Sequence, residues 1–171
     1  MDFKDCRSMK VVFLPHCALN QNARLAGCAE RPAAVRELVD GLLQRGVGIV
    51  QLPCPELLML GLDRGHIQIR SGMESLPVRQ ALRRLAAEIV FQVRQYQSCG
   101  VRVLGIMGKN GSPSCGVETT SLRGTPVAGS GVFIQELQAE LHAQGVQMEI
   151  AGMMDAEPPA ALAAVDDWLR P

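Results

Sequence analysis

The chain has little aromatic content, no excess of either charge, no long apolar run and no paired-cysteine motif. Phe, Tyr and Trp together make up 4% of its 171 residues, too few for a stacking platform that holds single-stranded nucleic acid. Lys and Arg number 17 against 17 Asp and Glu, a formal net charge of +0. That balance excludes broad, nonspecific attraction to nucleic acid or to an anionic membrane surface. The basic cluster Arg79, Arg83 and Arg84 reads as a solvated helix face. No stretch reaches the ~20 apolar residues of a spanning helix. The first apolar run, Val11 to Leu14, is far shorter than a signal-peptide core. The expected location is therefore cytoplasmic, where disulfides rarely persist. No C-x-x-C occurs, which removes zinc-ribbon and thioredoxin readings, and the H-x-E…P-C-x-x-C pattern of nucleobase deaminases is missing. There is no internal repeat and no low-complexity tail.

What is present is a core and a rhythm. Hydrophobic residues are 47% of the chain, enough for one sizeable core, and the length fits a single domain over residues 1–171. Lys10 to Leu14 (KVVFL) and Gly48 to Leu52 (GIVQL) are short apolar runs, each ending at a proline, as expected of buried parallel strands. Val101 to Met107 and Val146 to Ala151 read as two further strands. Arg31 to Arg45, Ser75 to Ser98, Val132 to Gln144 and Pro158 to Leu169 carry helical spacing, with Ser75 as an N-cap. Residues 57–75 suggest loops around a short helix or hairpin, and residues 108–131 a long loop rich in Gly, Ser, Pro and Thr. Strands alternating with helices predict an α/β, Rossmann-like fold. Its mainly parallel four-stranded sheet is flanked by helices and has the order 2-1-3-4, with the switch point between the first and third strands.

Three of the six cysteines, Cys17, Cys54 and Cys115, follow strand ends in this scheme. Strand ends on the carboxyl side line the crevice where open parallel sheets bind ligands. The three sit in turning loops: Pro15-His16-Cys17-Ala18-Leu19-Asn20, Pro53-Cys54-Pro55-Glu56 and Gly111-Ser112-Pro113-Ser114-Cys115-Gly116. Thiolates from three loops can converge on a metal or cluster, and all-thiolate ligation favours iron–sulfur or zinc over hard cations. The serine hydroxyls and the backbone amides of the third loop can tune such a centre. Cys6 and Cys99 are expected as small buried apolar side chains. Cys28 is either a buried side chain or a fourth ligand. His16 either packs or joins the site, and Gly129-Ser130-Gly131 before a helix could bind an anion through its amides.

Cys54-Pro55-Glu56 and Ser112-Pro113-Ser114-Cys115-Gly116, with a cysteine after the first strand, resemble the DUF523 family of TudS-like thiouracil desulfidases. The resemblance covers most of the chain. It takes in Arg24 and Gly27, Gly61-Leu62, and Gly129-Ser130-Gly131-Val132-Phe133. It implies a [4Fe-4S] cluster held by Cys17, Cys54 and Cys115, with one iron open to sulfur from a thiolated base. It further implies Glu56 as the acid/base, assisted by Ser112 or Ser114. The chain departs from the family pattern at Arg24-Leu25-Ala26-Gly27, usually Arg-Tyr-Asp/Asn-Gly. It departs again at Gly61-Leu62-Asp63-Arg64-Gly65, where a Pro-Arg pair is usual. These departures mark a divergent branch and bear on the substrate.

The residues themselves suggest the same chemistry. A soft thiocarbonyl sulfur binds an open iron, water attacks the adjacent carbon, and Glu56, two residues from Cys54, is the nearest base for the proton. Asn20 and Arg24 are candidate substrate-binding residues, Arg24 either for a phosphate or carboxylate or as the partner of an acid. The expected partner is a small thiolated base, nucleoside or thioamide, with no membrane and no large nucleic acid. A non-catalytic iron–sulfur or sulfur-carrier protein, or a zinc hydrolase with the same three cysteines, would use the same ligands.

Overall fold

Lys10–Pro15 (β1) and Gly48–Leu52 (β2) pair in parallel, from Val11 opposite Gly48 to Pro15 opposite Leu52. In the computed structural model, which describes residues 4–65 and 68–170, they belong to one four-stranded parallel sheet. The other two strands are Arg102–Lys109 (β3) and Ile150–Met153 (β6), and the order is β2-β1-β3-β6. This is the expected 2-1-3-4 arrangement. The sequence expectation put the last strand at Val146. Val146 and Met148 instead pack on the core ahead of it, and the Val146 amide turns back to Leu141 O.

The direction of winding reverses at β1, so helices cover both faces of the sheet. Arg36–Gln44 (α2) and Pro158–Leu169 (α7) cover one face, over a core of Val12, Leu14, Leu38, Leu42, Met107 and Val165. Ile69–Glu74 (α4), Leu76–Ser98 (α5) and Val132–Ala143 (α6) cover the other, over Phe13, Met73, Leu82, Ile89, Ile106 and Phe133. Phe13 therefore faces away from Val12 and Leu14, as strand alternation demands. The β1–β3 register shifts between Val11 and Phe13. Beside that bulge, Gly105 lies against the Trp168 ring, so close that a Cβ there would strike it.

Several local expectations are corrected. The helix expected from Arg31 begins at Arg36, because residues 31–35 form a bent connection tied to the 18–21 segment. The Ala33 carbonyl accepts from the Gln21 amide and the Val35 amide donates to Ala18 O, and Pro32 disfavours helix in the residue before it. Ser75 stands at the N-cap of α5, but its hydroxyl donates back to Gly72 O. The irregular stretch after β2 holds two short helices, Pro55–Leu60 (α3) and α4. His66 and Ile67, between them, lie outside the described residues. Residues 108–131 include an antiparallel hairpin, Thr119–Leu122 (β4) with Thr125–Ala128 (β5). Its turn places Arg123 and Gly124 at φ 52 and 82, the left-handed pair that a two-residue hairpin needs. Cys6 and Cys99 are exposed rather than buried: one precedes β1 and the other ends α5, beyond the apolar faces. Arg83 and Arg84 are exposed, in keeping with a solvated helix face, while Arg79 and Arg83 also pair with the buried Glu136 of α6. Among the described residues, no helix is long and apolar enough to cross a membrane.

The 112–116 loop is clamped between β3 and α6. A Cβ at Gly108 would meet the Cys115 carbonyl, and one at Gly131 would meet the Ser114 carbonyl. Neither glycine has a left-handed φ; what both positions require is room. Gly131→Ala should lower the thermal midpoint by the worth of an overpacked contact, about 1–3 kcal/mol. Gly145→Ala, at a helix end with no atom near its Cβ position, should leave the loop in place. Proteolysis at 111–117 in the Gly131 variant alone would show the clamp, and equal resistance in both variants would refute it.

Candidate active site

Cys17 lies on a single helical turn, His16–Leu19 (α1), directly after β1. Cys54 caps α3: its sulfur accepts from the Leu57 amide at 3.4 Å, with Pro55 opening the helix. Cys115 follows β3 on the clamped loop, whose carbonyls accept the first amides of α6: Pro113 O from Val132, and Ser114 O from Phe133 and Ile134. The Gly129-Ser130-Gly131 amides are therefore not an open anion site. Gly129 N donates to Glu118 O and Gly131 N to Gly116 O.

The three cysteines line one cavity of about 340 Å³, together with Arg24, Cys28, Glu56, Arg64, Lys109, Ser112 and Ser114. Among the described residues, no group of three or more His, Cys, Asp or Glu side chains is arranged to hold a metal ion. The three thiols reach the cavity from three separate elements.

Glu56, 8% exposed, is held at both carboxylate oxygens. Its Oε1 accepts from Ser114 Oγ at 2.6 Å and Ser112 Oγ at 3.0 Å, and its Oε2 pairs with Arg64 Nε at 3.1 Å. Ser112 Oγ also accepts from the Ser114 and Cys115 amides, which fixes the loop. Ser114 Oγ stands 3.6 Å from Cys115 Sγ, so one hydroxyl touches both the acid and a thiol. Arg64, which the sequence marks only as a departure from the family pattern, anchors itself on Ala23 O and Gly61 O.

A second charged cluster reaches the cavity through Arg24, Glu30 and Lys109 and is centred behind its wall on Asp155. Asp155, 0% exposed, accepts from Gln21 Nε2 at 3.1 Å and pairs with Arg24 Nη1 at 3.5 Å. Arg24 reaches Cys17 Sγ at 3.9 Å and donates to the Cys28 carbonyl at 3.1 Å. Gln21 also donates to Cys17 O at 2.8 Å. Lys109 closes β3 with its ammonium 3.5 Å from Asp155 Oδ1 and 3.7 Å from Glu30. Asn20 is not among the lining residues; its side chain caps the 3-10 turn that follows by accepting from the Asn22 amide. His16 does not line the cavity either, whereas Cys28 does. Lys109 and Asp155 carried the signal that revealed the cysteines, a polar residue at or after the carboxyl end of an apolar strand. Gln21 carried none.

Burial sets the state of the thiols. Cys17 is pushed up from 9.0 to about 11, with Arg24 opposing. Cys54 is raised by burial against the pull of the Leu57 amide. Cys115 is raised well above its ordinary range, by burial first and then by the Glu56 charge. Without a bound centre these groups are neutral at pH 7, so a thiolate-bound centre displaces their protons and binds more tightly as pH rises. A group whose pKa is raised on folding contributes stability fully below its unfolded value, and that contribution is lost as pH climbs to the folded value. The metal-free protein should therefore lose thermal stability between about pH 9 and about 11, and Cys17→Ser should flatten part of that decline. A decline of unchanged size in the variant would show that Cys17 is not its source.

No family model matches the chain. It is 28% identical over 111 residues, 65% of its length and 70% of the other's, to the uncharacterized protein MJ0003 of Methanocaldococcus jannaschii. Among solved structures it is similar to a [4Fe-4S]-dependent thiouracil desulfidase, TudS. That match has a TM-score of 0.48 and 19% identity, and covers 92% of this chain and 98% of the other.

Proposed function

We propose that the chain is a desulfidase converting a small thiolated pyrimidine or related thioamide, with water, into the carbonyl compound and hydrogen sulfide. Its cofactor is a [4Fe-4S] cluster on Cys17, Cys54 and Cys115. The observation that carries this reading is a buried carboxylate, hydrogen-bonded by two serines, in the same cavity as three thiols from separate strand ends. The donor set fits the cluster: three thiols suit a soft iron–sulfur centre, and they border a space larger than an ion. A zinc hydrolase would use the same three cysteines, and metal and sulfide analysis separates it from this reading. The Ser-Pro-Ser-Cys-Gly resemblance supports the same assignment. When bound, the cluster would supply a Lewis-acidic iron that takes a soft thiocarbonyl sulfur.

The chain's own residues handle the protons. Water adding to the thiocarbonyl carbon must give up both protons, and the departing sulfur takes up two, so the overall change is not redox. Glu56 Oε1 is 2.6 Å from Ser114 Oγ, within range for direct transfer. Ser114 receives a proton from water as its own passes to Glu56, and the reverse sequence returns it to sulfur; the proton left on the new C–OH follows the same route as the carbonyl forms, so both reach sulfur. Arg64 fixes the carboxylate through Oε2, leaving Oε1 turned to the serines. A sulfur carrier would need the thiols and not this relay.

Protein reconstituted without oxygen should hold about four irons per chain. Ala in place of Cys17, Cys54 or Cys115 should each abolish the broad visible absorbance, and Cys6→Ala or Cys99→Ala should not. Zinc instead of iron and sulfide would favour the hydrolase. Glu56→Gln and Ser114→Ala should keep their iron, while sulfide release from 2-thiouracil falls by ~10² to 10⁴, the usual worth of a positioned acid/base. Undiminished turnover in the Gln variant would remove Glu56 from the mechanism. No sulfide from any thiolated base or nucleoside would point to the carrier.

A further inference from the structure

Lys109 is unusual for a buried lysine. It ends the central strand β3, its side chain is 4% exposed, and it lines the cavity that holds the three thiols. Burying an ammonium costs several kcal/mol unless it is closely paired. A lysine present only to neutralise Asp155 would close to about 2.7–2.9 Å. Lys109 instead stands 3.5 Å from Asp155 and 3.7 Å from Glu30, beyond good hydrogen-bond length. Asp155 Oδ1, fully buried, likewise has no hydrogen-bond partner. Its other oxygen is engaged by Gln21 and Arg24. The two acids hold the ammonium at the cavity wall without using up its donors. Its backbone is fixed by the Lys109 amide, which donates to Cys115 O at 2.8 Å, and by pairing with Met153.

We infer that Lys109 is a substrate-contacting residue that recognises the imide oxygen of the substrate, restricting the site to thiolated pyrimidines that carry a ring carbonyl next to a ring N–H. The inference rests on the desulfidase reading and narrows its substrate class. Such a ring has an acidic imide N–H. A soft metal centre on its sulfur would make that N–H more acidic, and loss of the proton to solvent would leave negative charge spread over the S–C–N–C–O unit, making the carbonyl oxygen at its far end a strong acceptor. The Glu56–Ser114 side of the cavity handles protons, and the Lys109 side supplies a fixed cation. A ring with an amino group in place of that carbonyl, such as 2-thiocytosine, presents a donor to the ammonium and is disfavoured.

Two measurements test this. The first uses metal-free protein and needs no turnover: barbiturate, an anionic imide of pyrimidine shape, is compared with uracil, its neutral counterpart, by equilibrium dialysis. Wild type should favour barbiturate by about ten- to a hundredfold, the worth of one hydrogen bond to a charged group, and Lys109→Met should lose the preference. The second uses reconstituted protein. Lys109→Met should lower kcat/KM for 2-thiouracil by a similar factor and change that for 2-thiocytosine less than twofold. Because Lys109→Met leaves Asp155 short of a cation, the double variant Lys109→Met, Asp155→Asn is made in parallel; it should fold and show the same losses. Retention of both the barbiturate preference and the 2-thiouracil discrimination in the variants would overturn the inference and leave the desulfidase reading standing. Loss of the preference in a protein that releases no sulfide from any substrate would support the imide contact and overturn the activity.

Discussion

The reversal of winding at β1 is the constraint on which the rest of the structure depends. From β1 the chain crosses one face of the sheet to reach β2, and from β2 it crosses the other face to reach β3. The segments leaving Pro15 and Lys109 must therefore diverge, and the cavity lies between them. Parallel strands all end on the same side, so whatever follows each strand borders that gap. Cys17, Lys109 and Cys115 flank that gap directly, and Cys54 reaches the same cavity from the neighbouring strand β2.

A crevice formed in this way is half-buried, and it is costly to line it with charge. Isolated, each of Glu56, Lys109 and Asp155 would lose several kcal/mol of hydration. The molecule offsets this with two separate networks. Glu56 is saturated by Arg64 and two serine hydroxyls, whereas Asp155 and Lys109 sit at long range from each other with polar atoms left over. The first network is closed and fixes a carboxylate. The second is looser, with its ion pairs at 3.5 Å and beyond, and a buried polar network of that kind is costly to leave unsatisfied. The thiols add a third element: burial keeps them neutral until a centre replaces their protons.

Much of the framework was legible in the chain itself. Apolar runs of five residues ending at proline gave β1 and β2, because a strand buried on both faces has no polar alternation and proline cannot continue the ladder. α7 was legible from its spacing, and α5 and α6 nearly to the residue. The hairpin β4–β5 was not. Its strands are largely exposed and polar, so they carry no hydrophobic period, and its Arg123-Gly124 turn lacks the usual Asn-Gly signal. The start of α2 was misplaced because backbone bonds from Gln21 and Val35 to distant residues override local helical spacing.

At the site the division is sharper. The sequence by itself determined that three cysteines follow three strands and that Glu56 lies two residues beyond one of them, because strand ends and prolines are local signals. Only the tertiary structure decided that Ser114 meets Glu56 across 58 positions, and that Gln21 meets Asp155 across 134. It also brought Arg64 onto the carboxylate. Those pairings depend on where loops end after the sheet has twisted and the helices have packed, and no local rule of spacing records that distance.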